Sequence, residues 1–327
     1  AVIRQMVSDV PLGAFLSGGI DSSTVVALMQ AHSGRRVHTF SIGSQNEAYN
    51  EASHAKRVAQ HLGTEHTELI VDPEMARAVV ERLSDIYDEP FADSSQIPTF
   101  IVSQLARRDV TVSLSGDGGD ECFGGYVRHH WFDFLASYCR TVPAFLSKTA
   151  NFALQSISPA AWDAMLSPVP RRLRPSHVGD KIHKLAALLP QQDLESVYRR
   201  VIAQWPEPQA LVPDAVEPLQ PWAGRDTQAA LPEPTSQVRF YDMMQYLPDD
   251  ILTKVDRASM AVSLEVRVPL LDHRVDIHGA PIETARQRAR DRALARPHEA
   301  HEIDFVGFHA TSRSSVSHSE RLPSSTA

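Results

Sequence analysis

The stretch "FLSGGIDSSTV", Phe15–Val25, decides the fold. An apolar run ends at a Gly-Gly turn, an acid and two serines follow, and apolar residues then recur at helical spacing. A strand that turns into a helix on glycine and serine leaves successive backbone N–H groups facing one concavity, with the positive end of the helix dipole behind them. Ser17, Ser22 and Ser23 add hydroxyl donors. That is a cradle for an anion, yet it carries no lysine, and Asp21 repels a bare phosphate. A divalent cation between acid and anion removes the conflict, so the loop suits a metal-bound di- or triphosphate. The plain alternative is an ordinary Gly-Gly turn with an Asp cap.

Outward from this loop, strand-like and helix-like pieces alternate. "GAFLS" (Gly13–Ser17) is followed by a helical pattern over Ser22–His32 with Gly34 as its stop, then by the β-rich "RVHTFSIG" (Arg36–Gly43). Asn50–Gly63 reads as an amphipathic helix with Asn50 as N-cap and Gly63 just past its end. "EHTELIV" (Glu65–Val71) is extended, a helix runs from Pro73 to about Tyr87, another covers Ile97–Arg108, and "VTVSLSG" (Val110–Gly116) is again a strand. Such alternation predicts an α/β fold, a parallel sheet with helices on both faces, whose ligands bind at the carboxyl ends of the strands. Both "LSGGIDSS" and "LSGDGGDE" fall at those ends. The chain divides on pattern into a core over 1–130, a helical and Pro-rich part over 131–275, and a divergent tail over 276–327.

Composition bounds the function. With 327 residues, 43% hydrophobic and 22% charged, the chain has the make-up of a soluble globular protein. A net charge of −8 argues against general nucleic-acid binding. The two cysteines build no disulfide framework, which favours a reducing, cytoplasmic setting. No apolar run approaches the roughly 20 residues that span a bilayer, so no membrane partner is expected.

The second glycine-rich loop, "LSGDGGDECFGGY" (Leu114–Tyr126), narrows the chemistry. Carboxylates three residues apart on a flexible loop converge on one cation or on an ammonium-like nucleophile. Asp120 is the choice for a metal opposite Asp21, although a structural acid at a helix N-terminus is the alternative for Asp120 and Glu121. Cys122 reads as a small buried hydrophobe.

Together, "LSGGIDSS", "SIG", "LSGDGGDECFGGY" and "DRASMAVSLEVRVPLLD" resemble the synthetase domain of asparagine synthetases (glutamine-hydrolysing), enzymes of the PP-loop ATP pyrophosphatase type with an adenine nucleotide alpha hydrolase-like fold. The resemblance covers about Ala1 to Val275. It implies that ATP, with Mg2+, activates the side-chain carboxylate of aspartate as a β-aspartyl-adenylate. Ammonia derived from glutamine then attacks, giving asparagine, AMP and pyrophosphate. By position, the resemblance assigns Leu16, Ile42, Ser115 and Gly116 to the adenosine, and Ser17, Gly18, Gly19, Asp21, Ser22 and Ser23 to the pyrophosphate loop. Asp21 and Asp120 are assigned to Mg2+, and Asp117 to the reacting centre. Asp256, Glu265, Arg267 and Asp272 brace the site, with Arg267 a candidate to pair a substrate carboxylate. A homodimer is expected of the intact protein.

Two departures stand out. The family's amino-terminal glutaminase domain is expected to lie outside this chain, which begins at Ala1. After "PLLDHR" the family continues to a lysine near a Gly-Phe pair, whereas the last lysine here is Lys254, and "VGFH" (Val306–His309) carries none. The lysine-free stretch after Val275 holds five of the 15 histidines and reads as a disordered tail or a shifted reading frame. Its "HEAH" (His298–His301) lacks the HExxH spacing of a zinc site. A related ligase for another acid, of β-lactam synthetase-like or polysaccharide-modifying type, and a non-catalytic ATP-binding remnant are the competing expectations.

Overall fold

In a computed structural model, the structure describes residues 1–44, 51–167, 178–203, 205, 210, 212, 225–273 and 275. The tail over 276–327 lies outside them.

β1 (Leu12–Phe15) explains the rest of the sheet. Side chains alternate across a strand, so neighbouring apolar residues serve two cores. Ala14 and Leu16 pack with Val25, Val26 and Met29 of α2 (Ile20–His32) and with Ala55 and Ala59 of α3 (Ala52–Leu62). Val2 of α1 (Val2–Gln5) joins the same cluster. Phe15 points the other way, onto Phe40 of β2 (His38–Ser44) and onto Leu105 and Ala106 of α6 (Gln96–Ala106). Helices therefore cover both faces, as the run of strand and helix patterns predicts.

β3 (Glu65–Val71), β4 (Val112–Leu114) and β5 (Glu265–Arg267) complete a five-stranded sheet in the order β3-β2-β1-β4-β5. Every pairing is parallel, with Gly13 opposite His38, Leu12 opposite Val112, and Leu114 opposite Arg267. From β1 the chain builds outward to β2 and β3, then returns to place β4 on the other side. The strand order therefore reverses between β1 and β4, which is where open parallel sheets leave a crevice.

Several local expectations meet adjustments. α2 begins at Ile20, two residues before the pattern sets in. Gly63 ends α3 in the left-handed conformation, φ 72°. Asn50 lies outside the described residues, and the residue before α3 is Glu51, whose side chain makes no capping bond. The helix expected from Pro73 to Tyr87 is two: α4 (Pro73–Val80), capped by Asp72 accepting from the Met75 N–H at 2.7 Å, and α5 (Leu83–Tyr87). Neither glycine nor proline marks that break. Both pieces still deliver Val79, Ile86 and Tyr87 to one cluster with Phe100 and Ile101.

Beyond β4 come α7 (Gly119–Phe123), α8 (Val127–Thr141), α9 (Ala144–Gln155), α10 (Pro159–Met165), α11 (Val178–Ala186), α12 (Leu194–Ile202), α13 (Arg225–Ala230) and α14 (Pro234–Tyr241). Phe132, Leu135, Val197, Tyr198, Val238 and Tyr241 form their own apolar cluster, which Cys122 of α7 joins. α14 runs into a π-helix, Asp242–Leu252, and on into α15 (Thr253–Met260). Pro248 lies inside the π-helix, where a wider turn tolerates a residue without an N–H. α15 packs against α6 and β5, so the segment following the helical region returns to the sheet.

Leu114 is fully buried in the central part of the sheet, at 0% exposure. Leu114→Ala is expected to cost about 2–5 kcal/mol, read as a lower midpoint in denaturant unfolding.

Candidate active site

The loop after β1 is held by its own serines. Ser17 and Ser22 share a hydrogen bond at 2.9 Å, the Gly19 N–H donates to Ser17 Oγ at 3.2 Å, and the Ser17 N–H donates to Ser22 Oγ at 3.3 Å. No side chain caps the start of α2, which keeps its positive end available to an anion. Gly18 has φ 86°, and a Cβ there would stand 2.7 Å from the Ala55 N, so glycine lets α3 close against the loop.

The loop after β4 approaches from the opposite side. The Ser115 N–H donates to the Arg267 carbonyl at 2.8 Å, and Ser115 Oγ donates to Asp117 Oδ2 at 2.5 Å. Asp120 stands in the first turn of α7. A Cβ on Gly119 would overlap the carboxylate of Asp21, so the absence of a side chain is what admits that acid. Burial raises the Asp21 carboxyl above its ordinary range, and Asp120 raises it further. Burial also raises Asp120, against the pull of His129 and Arg128. Asp117 keeps an edge on the cleft while protein surrounds most of it. Burial raises it, opposed by the Ser115 hydroxyl and by Lys254. A buried acid facing another acid favours a shared cation, and the chemistry of Asp21 and Asp120 fits Mg2+. Among the described residues no group of three or more His, Cys, Asp or Glu gathers as a metal cage.

Between the loops lies a cleft of ≈ 790 Å³. Leu16, Ser17, Gly19, Asp21, Ser22, Ile42, Ser115, Gly116, Asp117 and Asp120 all line it. Gly18 and Ser23 line a neighbouring hollow between α2 and α3, and Ser23 Oγ is buried without a hydrogen-bond partner. Arg267 requires a correction: it does not line the cleft. Its Nε is engaged by Glu265 at 2.6 Å and its Nη1 by the carbonyls of Gln5 and Val7 at 2.7 and 2.8 Å. Asp256, Glu265 and Asp272 also stay outside the cleft lining.

The cleft holds groups that pattern reading passed over. Lys254, at the start of α15, lines it, and its Nζ donates to Asp93 Oδ2 at 2.5 Å. Asp93 is fixed in turn by the N–H and hydroxyl of Ser95, at 2.7 and 2.8 Å. These bonds hold the Asp93 carboxyl below its ordinary value although burial opposes them. The cleft thus has a cation after all, drawn from the segment "LTKVDRASM". Glu121, also in the lining, is 1% exposed and accepts from the Tyr126 hydroxyl at 2.6 Å. Burial pushes its carboxyl up to about 7. Behind Tyr126, Arg128 is stacked between the rings of Tyr126 and Tyr246, 3.8 and 4.5 Å from their centroids, and donates to the buried Asp242 at 2.9 Å. Aromatic and ion-pair contacts of that kind immobilise the wall of a cleft.

The family model described as asparagine synthase matches residues 1–276. A putative asparagine synthetase [glutamine-hydrolyzing] 2 of Methanocaldococcus jannaschii is 47% identical over 150 residues, 45% of this chain and 28% of that protein. The putative asparagine synthetase [glutamine-hydrolyzing] of Mycobacterium bovis is 32% identical over 281 residues, 84% of this chain and 40% of the relative. Asparagine synthetase [glutamine-hydrolyzing] 1 of Bacillus subtilis is 31% identical over 271 residues, covering 82% and 40%. The chain thus spans well under half the length of these relatives. Among the described residues no helix is long and apolar enough to cross a membrane.

Asp250, one turn before Lys254, has a buried Oδ1 without a partner. Burial first, and Asp93 next, push its carboxyl up to about 6. A carboxyl raised above its unfolded value costs stability as pH climbs past the ordinary carboxylate range, and the cost is complete above its folded value. Asp250→Asn is therefore expected to raise Tm relative to the parent protein more at about pH 7.5 than at about pH 5. An equal change at both would show that burial of the charge is not the cause.

Proposed function

The chain belongs to the asparagine synthase family, and on that premise we propose that its cleft activates the side-chain carboxylate of aspartate with ATP, for amide formation by ammonia. The observation that carries this reading is the convergence of two loops from β1 and β4 on one cleft at the point of strand reversal, with Asp21 close to Asp120 and Lys254 in the wall.

A carboxylate is a poor acyl donor because its leaving group would be oxide. Attack of the aspartate side chain on the α-phosphorus of ATP forms the acyl adenylate and expels pyrophosphate. Ammonia then attacks the acyl carbon, AMP leaves, and the nitrogen loses a proton. The residues divide this work. The open start of α2, whose first N–H groups have no partner within the helix, receives the departing pyrophosphate. Leu16, Ile42, Ser115 and Gly116 hold the adenosine. Asp21 and Asp120 would hold Mg2+, which when bound neutralises charge on the triphosphate. Lys254 supplies a fixed positive charge, kept in place by Asp93, where negative charge develops. Asp117 combines a raised proton affinity with a fixed orientation on the Ser115 hydroxyl, which suits it to take the proton released as the C–N bond forms. Glutamine enters only as the source of ammonia.

The test is pyrophosphate release from Mg-ATP with aspartate and free ammonia. Release that depends on aspartate supports the reading. Release with a different acid alone indicates the related ligase, and nucleotide binding without release indicates a remnant. Asp21→Ala is expected to weaken Mg-ATP binding by about tenfold or more, and unchanged affinity would remove the metal role. Lys254→Met is expected to lower kcat by about 10²–10³ with the fold intact by circular dichroism.

A further inference from the structure

Arg267 stands at the end of β5, a strand of three residues that among the described residues pairs only with β4. Its guanidinium reaches the carbonyls of Gln5, the last residue of α1, and of Val7 just beyond. The final carbonyls of a helix have no partner within it, and the two N–H groups of one guanidinium nitrogen, Nη1, serve both carbonyls at once. Glu265 holds the same guanidinium from the other side.

The backbone of Arg267 faces the cleft loop. Its carbonyl accepts the Ser115 N–H at 2.8 Å, and the Ser115 hydroxyl in turn holds Asp117 at 2.5 Å. Four residues on, Leu271 packs so closely on Gly118 that a Cβ there would overlap it, while Leu270 packs against the cluster containing Val2. The short segment 267–271 therefore touches the amino-terminal helix on one side and the acidic loop on the other. Hydrogen bonds at the side chain and at the carbonyl of Arg267 thus link Gln5 and Val7 with Ser115, whose hydroxyl holds Asp117.

We propose that Arg267 is a positioning residue that couples the amino-terminal segment to the acidic loop and so sets where Asp117 stands in the cleft. The catalytic consequence rests on the adenylating reading above, whereas the coupling itself does not. Without the guanidinium, the end of α1 loses its bonds to β5, and β5 is held by its three-residue ladder to β4 and by its packing on α15. Ser115 then has a less firmly seated carbonyl to bond, and Asp117 is oriented by a mobile partner.

Hydrogen–deuterium exchange on the full chain, as the parent protein, Arg267→Gln and Arg267→Lys, tests the coupling. Arg267→Gln is expected to speed exchange about tenfold both in 1–8 and in 113–120, with α2 and β2 unchanged. Arg267→Lys, which keeps a charge and N–H donors but loses the planar group that Glu265 also holds, is expected to fall between. Loosening of 1–8 with 113–120 as in the parent overturns the proposal, as does equal loosening of the whole chain in both variants. In the pyrophosphate assay, Arg267→Gln is expected to lower kcat about tenfold and leave KM for ATP within about twofold. An unchanged kcat in an active protein also overturns it. A parent protein with no aspartate-dependent release defeats the functional reading instead, and the exchange result still decides the coupling.

Discussion

Two carboxylates from distant loops meet where the sheet reverses its strand order, and most of the architecture follows from keeping them there. Asp21 belongs to the first turn of α2 and Asp120 to the first turn of α7. Burial raises both, and Asp120 raises Asp21 further. Such a pair is costly without a cation, so the fold must press it together by packing. Glycine is the means. Gly119 leaves room for the carboxylate of Asp21, and Gly125 leaves room for that of Asp120. An alanine at either position would force the acids apart or the loops open.

The cation of the cleft is held by the same logic at longer range. Lys254 is buried, and an unpaired ammonium there would be unstable, so Asp93 accompanies it. Asp93 can serve because Ser95 donates two hydrogen bonds to its other oxygen. The π-helix has a part in aiming this group. It carries Pro248 without losing continuity, and Thr253 closes its end by donating to the Pro248 carbonyl at 2.8 Å. Ile251, Lys254 and Val255 then all line the cleft. A regular helix broken at the proline would present a different face.

What could be read from the sequence was what local pattern encodes. β1 to β4 each carry an apolar run beside a turn, and the two glycine-rich loops are contiguous strings, so strands, loops and most of the cleft lining were legible. β5 was not, because three residues give no period and their partner β4 lies far back in the chain. Lys254 escaped notice for a related reason: its meaning depends on Asp93, 161 residues away. The break between α4 and α5 has no glycine or proline to announce it. Arg267 misled in the opposite sense. A guanidinium fits a carboxylate of a substrate as well as two backbone carbonyls, and only the fold shows that Gln5 and Val7 take it.

The charge balance of the cleft has a consequence for how it fills. Among the described residues, Asp21, Asp117, Asp120, Glu121 and Glu51 line it, with Lys254 as the one lysine. Burial raises the carboxyls of the first four, so keeping all of them ionised together is costly. A nucleotide triphosphate entering alone would meet repulsion that the loop amides and Lys254 only partly offset. A divalent cation entering alone would find two carboxylates and open coordination positions. On the proposed reading each ligand would improve the site for the other, because coupling between binding free energies is reciprocal. The loop at Phe15–Val25 carries no lysine of its own, and Lys254, which lines the same cleft, comes from a distant segment.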